Sequence, residues 1–230
     1  MSIPSLSVRI DALFMGRIEN RWEGRPPSAI SKRLADGKRR IETHGFVDDA
    51  QADLDNHGGA EKAIHHYPTD HYALWIAEGA IPAETIPSAF GENIAARGMT
   101  EDVICIGDIL RLGSATVQIS QGRQPCWKVA EHTKNPRMAY LFQNTGRTGW
   151  YYRVLEPGYA ERGDEIELLD RPQPGWTVKH VTQARLTRRA PQAEVEALAE
   201  LPELAMDWRK AFAKMAGGDR DEDTSRRLGD

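Results

Sequence analysis

The periodicity of the apolar residues changes once along this chain, and that change constrains the fold more than any other feature. Up to about residue 172, short apolar runs alternate with polar residues and end at glycine or proline turns, as in Leu6 to Ala12 and Ala115 to Ser120. Such alternation is typical of β-strands with one buried face. After Pro172-Gln173-Pro174-Gly175, apolar residues recur at helical spacing, for example Leu204, Trp208, Phe212 and Met215. The sequence therefore predicts an α+β protein, mainly β with added helices over residues 1–172, followed by a small helical domain over residues 173–230.

Composition and charge narrow the class of protein. A chain of 230 residues with 40% hydrophobic content can form one sizeable core and a small appendage. Its net charge of -4 argues against a general nucleic-acid binder, which is usually basic. Two cysteines cannot make a disulfide framework, and no apolar stretch approaches the ~20 residues that a membrane helix needs. We therefore expect a cytoplasmic protein that neither crosses a membrane nor binds nucleic acid stably.

Individual elements follow from the same patterns. A helix is expected from Pro68 to about Ala80, with His71 on its surface, and a second one from Asn135 to Gly146. His65 and His66 are neighbours in a predicted strand and must point to opposite faces. Residues 19–38 are rich in proline, glycine and arginine and are predicted to form a loop or a broken hairpin. Strands are predicted over residues 6–12, 41–47, 62–67, 103–112, 115–120, 149–155 and 165–169.

Cys126 has the most distinctive chemistry in the chain. It follows the run ending at Ser120, within Gly122-Arg123-Gln124-Pro125-Cys126. A thiolate is the ligand that a soft metal prefers, and the neighbouring arginine would both favour that thiolate and bind a phosphate. Many cysteines are simply small buried residues, so the spacing alone leaves both interpretations open. Cys105 lies inside an apolar run and is predicted to be a core residue.

Several other polar segments fit either a ligand pocket or ordinary surface turns. In His57-Gly58-Gly59 the glycines allow the backbone to approach a ligand and to form an anion-binding nest, and a plain glycine turn is the alternative. Gly91-Glu92-Asn93 offers hydrogen bonds to a heterocycle or forms a polar turn. Lys32 lies in a basic cluster that is either solvated or binds phosphate. His65, His66 and His71 would suggest zinc, but no CxxC or HExxH motif accompanies them.

The order of these segments resembles that of the MOSC domain, named for the C-terminal region of molybdenum cofactor sulfurase. The segments are His57-Gly58-Gly59, Phe90-Gly91-Glu92-Asn93, Ile106-Gly107-Asp108 and Arg123-Gln124-Pro125-Cys126. Gln143 to Gly146, Gly149-Trp150-Tyr151 and the helical region after Pro174 make the chain similar to the YiiM-like subfamily, which carries a three-helix extension. The resemblance implies a β-barrel that binds the molybdenum cofactor, with Cys126 as its sulfur ligand. It further implies cofactor-binding roles for Lys32, His57, Lys62, Asn93 and Arg123.

The same resemblance implies a reaction. YiiM-like proteins are associated with the reduction of N-hydroxylated compounds, including hydroxylaminopurines, to the amines. His57 or His65 would deliver protons, because imidazole titrates near neutral pH. The chain has no dinucleotide fingerprint and no iron–sulfur cysteine set. Electrons are therefore expected from a separate flavin-type reductase, docking on the helical extension, and a homodimer is a further expectation.

Two other classes of function remain open at this stage. A cofactor carrier or sulfur-transfer module would need Cys126 and an anion pocket, but neither a substrate nor an electron partner. A cysteine hydrolase would use Cys126 as nucleophile with a histidine base, although no segment marks an oxyanion hole. The chain also departs from the family pattern: Trp127 stands where tyrosine commonly follows the cysteine, and Val47-Asp48-Asp49 where many members have Gly-Asp. Both departures bear on the geometry of the loops and on the shape of the substrate that the site would accept.

Overall fold

The computed structural model describes residues 5–53 and 58–222, which contain eleven β-strands and six α-helices. The strands are β1 (Ser7–Gly16), β2 (Lys32–Leu34), β3 (Arg39–Glu42), β4 (Gly45–Phe46), β5 (Ile64–Pro68), β6 (Ile94–Ala96), β7 (Ile109–Leu112), β8 (Ala115–Gly122), β9 (Trp150–Glu156), β10 (Gly158–Ala160) and β11 (Glu165–Asp170). The helices are α1 (Asp70–Ala77), α2 (Trp127–Thr133), α3 (Met138–Thr145), α4 (Val178–Thr187), α5 (Gln192–Ala199) and α6 (Met206–Ala216). A short 3-10 helix covers Ala60–Lys62.

Seven strands close into a barrel. They follow the order β11-β7-β8-β9-β5-β6-β1, and β1 pairs again with β11, with Ser7 opposite Glu167. Every neighbouring pair is antiparallel except β5 and β6. A parallel pair needs a long crossover, and the segment containing α1 provides it. Strand β2 pairs with the end of β1 and is antiparallel to it. Strands β10, β3 and β4 form a separate small sheet. The predicted fold class, mainly β with added helices, is confirmed.

The β7–β8 hairpin shows how the sequence pattern produces this barrel. Ala115, Val117 and Ile119 are fully buried while the residues between them are only partly covered, which is the two-residue period of a strand with one core face. The predicted turn at Gly113-Ser114 joins the two strands. Gly113 has a φ of 58°, and a Cβ there would lie 2.4 Å from the carbonyl oxygen of Tyr159. Only glycine fits this turn.

Three segments of the β-rich region differ in detail from what the sequence predicted. The strand expected over residues 103–112 begins only at Ile109, because the Asp108 carboxylate accepts a hydrogen bond from the Cys105 N–H at 2.9 Å and closes a turn. Gly107, with a φ of 85°, lies in that turn. Residues 41–47 form the β3–β4 hairpin rather than a single strand. Residues 19–38, expected to form a loop or a broken hairpin, contain an isolated antiparallel bridge between Glu19 and Ser28 and strand β2.

The predicted helices also need two corrections. Helix α3 begins at Met138 rather than beside Asn135, whose side chain accepts from the Arg137 N–H and donates to the Ala80 carbonyl. Asn135 therefore stabilises the preceding turn, while Gly146 ends the helix as predicted. His71 is not on the surface of α1. It is 5% exposed and shares the buried face with Trp75, one turn later.

The C-terminal helices complete the core of the barrel. Val181 of α4, Leu198 of α5 and Phe212 of α6 belong to the same hydrophobic cluster as the barrel interior. The segment before α4 also pairs with the barrel, since Ile106 N–H donates to the Trp176 carbonyl at 2.9 Å. None of the helices in residues 5–53 and 58–222 has the length and apolar composition needed to cross a membrane.

A second, aromatic core lies between β5, α1 and α3. The rings of Tyr67 and Phe90 are 4.5 Å apart, and Phe142 stacks on both Tyr67 and Trp75 at 5.8 Å. The Trp75 indole N–H donates to the Tyr67 hydroxyl at 2.7 Å, so the polar atoms of the cluster are satisfied. This packing fixes the segment around Phe90, which forms one side of the candidate site.

Candidate functional site

One pocket brings together most of the polar residues singled out from the sequence. It is open to solvent and lies between strands of the barrel, the β1–β2 loop and the start of α2, with about 570 Å³ of empty space that includes this open part. Its lining includes six residues predicted for the site: Lys32, Lys62, His65, Asn93, Arg123 and Cys126. His57, also predicted for the site, lies outside the described residues.

Cys126 lies where strand β8 passes into helix α2. Its backbone is extended, with φ −140° and ψ 166°, and its carbonyl accepts from the Val129 N–H in the first turn of the helix. The side chain is half-buried and lines the pocket. Cys105 is different: it is 2% exposed, and burial followed by the Asp108 charge raises its pKa to about 11. Its thiol stays protonated, and the predicted core role of Cys105 is confirmed.

Four cationic side chains line the same pocket: Lys32, Lys62, Arg123 and Lys128. Lys32 is paired, with its Nζ 2.6 Å from both carboxylate oxygens of Asp49. Burial lowers the pKa of Lys32, while the Asp49 charge raises it. Lys62 Nζ is 3.3 Å from an Asp207 oxygen at the start of α6. The helical extension therefore reaches the edge of the pocket.

Arg123 is held rigidly although it carries a charge. The residue is 5% exposed, and its Nη1 donates to the Phe90 carbonyl at 2.5 Å. Its backbone N–H donates to the Gly149 carbonyl at 3.0 Å. The pKa of Tyr151 is raised, chiefly by burial, while a hydrogen bond with Arg123 and its charge oppose that rise. A guanidinium fixed in this way is preorganised to bind an oxyanion.

His65 and His66 point to opposite faces of β5, as predicted. His65 lines the pocket, and burial, followed by the Arg123 charge, holds its pKa well below the usual range. Its ring is therefore neutral, and its buried Nε2 has no hydrogen-bond partner in the described structure. His66 faces the core: its Nδ1 is 2.9 Å from the Tyr152 hydroxyl, and burial lowers its pKa to about 3.

The side chains of Glu92 and Asn93 are occupied by the protein itself. Asn93 accepts from the His65 N–H and donates to the Phe14 carbonyl, both at 3.1 Å, which ties β5 to β1. Glu92 is fully buried and accepts from the Tyr72 hydroxyl and the Ser88 N–H at 2.6 Å each. Burial raises the pKa of Glu92, and these hydrogen bonds oppose that rise. The segment is therefore a structural turn at Glu92, which agrees with the second of the two interpretations left open by the sequence.

His71 contributes to the support of the pocket rather than to its lining. Its Nε2 is 2.6 Å from one oxygen of Glu101, whose other oxygen accepts from the Gly149 N–H at 2.6 Å. The Gly149 carbonyl in turn accepts from Arg123. Helix α1 is thereby linked through buried hydrogen bonds to the strand end that carries Arg123.

Sequence reasoning missed several polar residues of the pocket, among them Lys128, Tyr151 and Asp49. Lys128 is 6% exposed and follows Cys126 by two positions, so it enters from the first turn of α2. Tyr151 lies in a predicted strand and Asp49 in an acidic stretch, and neither was assigned to the pocket. A basic residue two positions after the cysteine was a usable signal for Lys128. The pairing of Asp49 with Lys32 depends on two loops whose proximity no local pattern reveals.

Within the described residues, no three His, Cys, Asp or Glu side chains lie close enough to hold a metal ion by themselves. A metal bound through Cys126 would therefore take its other donors from an organic cofactor. The pocket suits such a cofactor chemically, because it offers one soft ligand and several cations for a phosphate.

Known proteins resemble this chain over nearly all of its length. The family model "MOSC domain" matches residues 53–167, and the model "YiiM-like, 3-alpha helix domain" matches residues 176–215. Protein YiiM of Escherichia coli (strain K12) is 36% identical over 217 residues, which are 94% of this chain and 96% of that protein. The crystal structure of YiiM from Escherichia coli superposes with a TM-score of 0.80 at 29% identity and covers 97% of this chain and 98% of that one.

A fungal relative has a descriptive name. A protein of Gibberella moniliformis (strain M3125 / FGSC 7600) named "Reductase" is 38% identical over 185 residues. These residues are 80% of this chain but only 32% of that protein. The matched part of the fungal protein therefore corresponds to most of the present chain, joined to a much longer sequence.

Proposed function

This chain belongs to the MOSC domain family, in its YiiM-like form with a three-helix domain, and we propose that it reduces N-hydroxylated compounds with a molybdenum cofactor bound at Cys126. Hydroxylaminopurine-type base analogues are the proposed substrates, and the corresponding amines are the products. The observation that carries the proposal is a single pocket in which a thiol lies among four cationic side chains. The relative named "Reductase" supports a redox activity.

The donor set of the pocket fits a pterin cofactor that carries a phosphate. Cys126 is the soft ligand for molybdenum. Lys32 and Lys62 are each paired with an aspartate, and the carboxylates of Asp49 and Asp53 also line the pocket. Arg123 and Lys128, which are both nearly buried in the pocket wall, are proposed as the main phosphate contacts, with Lys32 and Lys62 shaping the rim. Asn93 contributes by fixing His65 rather than through a free amide.

When bound, the cofactor supplies the two electrons that cleave the N–O bond. The overall change is R–NH–OH plus two electrons and two protons to R–NH2 plus water. His65 lines the pocket with a neutral imidazole, which is proposed to lie beside the hydroxyl group of the substrate. Asn93 accepts from the backbone N–H of His65 and so fixes the strand position that carries this ring. Because the pKa of His65 is held well below its usual range, His57 is the proposed source of protons.

Electrons are proposed to come from a separate flavin-type reductase. A cofactor carrier without turnover is the second function that the pocket would allow, because cofactor binding alone uses the same thiol and the same cations. The two proposals differ in whether an N-hydroxylated substrate is consumed.

The test is expression in a host that makes molybdenum cofactor, with wild type, Cys126→Ala and Cys105→Ala compared. Cys105→Ala is the matched control, because it removes the other thiol, which lies outside the pocket. Molybdenum and pterin are measured in each purified protein, and reduction of 6-hydroxylaminopurine is followed with dithionite-reduced methyl viologen. We expect near-stoichiometric metal and turnover in wild type and in Cys105→Ala. Cys126→Ala should lose at least about 100-fold in turnover, because the metal loses its protein ligand.

Each of the other outcomes has a distinct meaning. Cofactor without turnover on a panel of N-hydroxylated compounds would favour the carrier. Folded wild-type protein that stays metal-free in that host and after reconstitution would overturn both proposals. A covalent adduct of the metal-free protein with acyl substrates would then support the cysteine hydrolase.

A further inference from the structure

Two tryptophans and two arginines form a compact exposed cluster at the pocket entrance. Trp22, in the β1–β2 loop, meets Trp127 edge to face with ring centroids 5.2 Å apart. The Arg25 guanidinium lies 4.8 Å from the centre of the Trp127 ring, and Arg21 lies 5.8 Å from that of Trp22. Both arginines are exposed, and both indoles are half-buried. We refer to Arg21, Trp22, Arg25 and Trp127 as the arginine–tryptophan surface.

This surface borders the candidate site on the outside. Trp127 is the residue directly after Cys126, and the loop that carries Trp22 continues into Ser28–Ile30, which line the pocket. Neither indole lines the pocket itself. Trp22 also packs against the aromatic core, so the exposed part of the two half-buried rings is what remains available to a partner outside the pocket.

The charge of this region is opposite to that of the whole chain. Residues 17–33 contain five basic residues and two acidic ones, a balance of +3 in a chain whose net charge is -4. Lys32 is buried against Asp49, so the exposed positive charge comes from Arg17, Arg21, Arg25 and Arg33. Glu19 offsets part of it, with an oxygen 2.9 Å from Arg21. A positive patch on a negative protein favours approach of an acidic partner in one orientation.

The composition of the surface is that of a protein interface. Tryptophan and arginine dominate the residues whose removal most weakens protein complexes. An arginine stacked on an indole also remains able to pair with a carboxylate through its edge. The cluster combines these residues within one loop and the first turn of α2.

We propose that the arginine–tryptophan surface docks an acidic flavin-carrying electron-transfer protein, which delivers electrons beside Cys126. The proposal rests on the proposed function, and it places the donor here rather than on the helical extension. The balanced reaction is R–NH–OH plus reduced flavin (FlH2) to R–NH2, water and oxidised flavin. The flavin is oxidised by two electrons, the N–O bond breaks, and the two protons leave in the amine and the water.

The test compares two electron donors on the cofactor-loaded protein. The probe donor is purified flavodoxin, an acidic FMN protein kept reduced by NADPH and its reductase. Dithionite-reduced methyl viologen is the small donor that needs no docking surface. The variant is Arg21→Gln/Arg25→Gln. Its matched control is Lys210→Gln/Lys214→Gln, which removes two exposed positive charges from α6.

We expect the surface variant to raise the KM for flavodoxin about tenfold and to flatten its dependence on ionic strength. Viologen-driven turnover should stay within about twofold of wild type, since the pocket keeps all its lining residues. The lysine control should behave as wild type with both donors. Arg21→Lys/Arg25→Lys should keep the dependence on ionic strength, because it retains the charge.

Three results would overturn the docking proposal. One is an unchanged KM for flavodoxin in the surface variant, and another is an equal rise in the lysine control. A third is an equal loss with both donors, which would assign the arginines to the pocket. Binding of oxidised flavodoxin, measured by calorimetry at two salt concentrations, tests docking without turnover. If wild type shows no viologen-driven turnover but binding follows the predicted pattern, the proposed reaction fails while the docking surface stands.

Discussion

At the scale of single residues, strand β5 gives two adjacent histidines different chemical environments. His65 faces the pocket, whereas the His66 ring lies 4.2 Å from the Trp150 ring and its Nδ1 is 2.9 Å from the Tyr152 hydroxyl. Both are neutral because burial removes the solvation that a charged imidazole needs. One side of the strand thus supports ligand binding while the other stabilises the barrel.

The buried histidines make stability depend on pH. The pKa of His66 is about 3 in the folded protein, against 6.5 in an exposed chain. Below pH 6.5 the unfolded chain binds a proton that the folded one does not, so acid favours unfolding. His66 alone should lower the free energy of unfolding by up to about 1.4 kcal/mol per pH unit between pH 6.5 and 3. Urea denaturation at several pH values measures this slope.

His66→Asn is the variant that isolates this contribution. Asparagine can still hydrogen-bond the Tyr152 hydroxyl but does not titrate. We expect a lower stability at pH 7, from the smaller side chain, and a shallower loss toward acid. His180→Asn is a matched control, because that histidine is exposed. A slope in His66→Asn equal to that of wild type would show that this imidazole does not drive the acid sensitivity.

The sequence predicted which residues line the pocket where the signal is local, but not the contacts that depend on distant partners. Cys126 and Arg123, only three positions apart, both line the pocket as predicted. The sequence left two interpretations open for Glu92, because its hydrogen-bond partners Tyr72 and Ser88 lie outside its own motif. Lys32 was correctly placed at the pocket, but its ion pair with Asp49 was not foreseen.

At the scale of elements, the contact between β8 and α4 joins the helical extension to the pocket. Gly122 ends β8 directly before Arg123, and it lies against Thr182 of α4. The Ala205 N–H, just before α6, donates to the Ser120 carbonyl of the same strand at 2.9 Å. Two of the three C-terminal helices therefore hold the strand that leads to Cys126.

Gly122→Ala should loosen that contact. A Cβ at this position would lie 1.9 Å from Thr182 Oγ1 and 3.1 Å from its Cβ. We expect a loss of about 1–3 kcal/mol in the free energy of unfolding, because overpacked cores must shift. Gly175→Ala is the matched control, since nothing lies within 4 Å of its added Cβ. Denaturant titration measures both.

Thr182→Ala tests whether contact with Thr182 is the cause of the loss expected in Gly122→Ala. The Thr182 hydroxyl is buried without a partner in the described structure, so removing it alone should cost little. The Gly122→Ala substitution should then lower the free energy of unfolding less in the Thr182→Ala background than in wild type. Additive losses would show that the clash with α4 is not the origin of the effect.

Element boundaries were predicted correctly where their cause lies in a few neighbouring residues, and incorrectly where it lies far away in the chain. The β7–β8 turn and the end of α3 were predicted, because Gly113 and Gly146 have positive φ angles that glycine adopts easily. The strand starting at residue 103 was wrong, because the Asp108 carboxylate reorganises the segment, and Arg171 holds that carboxylate with hydrogen bonds of 2.9 and 2.6 Å. Arg171 is 63 positions away, so no window on the sequence contains both residues.

At the scale of the whole molecule, the barrel and the helices share one apolar core. Trp208 and Phe212 of α6 pack into the cluster that contains Ile119 and Trp150 of the barrel. The proposed domain boundary near residue 172 therefore separates two sequence patterns but does not separate two cores. The change from strand to helix periodicity predicted the two kinds of element. That they pack into one core depends on tertiary contacts, which the periodicity does not reveal.

The shared core should make unfolding one cooperative event. We expect a single calorimetric transition for the full chain, with equal calorimetric and van't Hoff enthalpies. A fragment ending at residue 174 should fail to give a native near-ultraviolet dichroism spectrum, because it exposes the barrel surface that α4, α5 and α6 cover. Two resolved transitions, or a monodisperse and cooperatively folding fragment, would contradict this expectation.

The pairing of β1 with β11 also affects how the protein is made. Ser7 pairs with Glu167, so the first strand leaves the ribosome long before its last neighbour is synthesised. During this interval the backbone donors and acceptors along one edge of β1 are unpaired. Such an open edge can pair with strands of other chains and cause aggregation. Closing so long a loop is also entropically costly and slows folding. Nascent chains of this protein should therefore need chaperone protection until translation has passed residue 170.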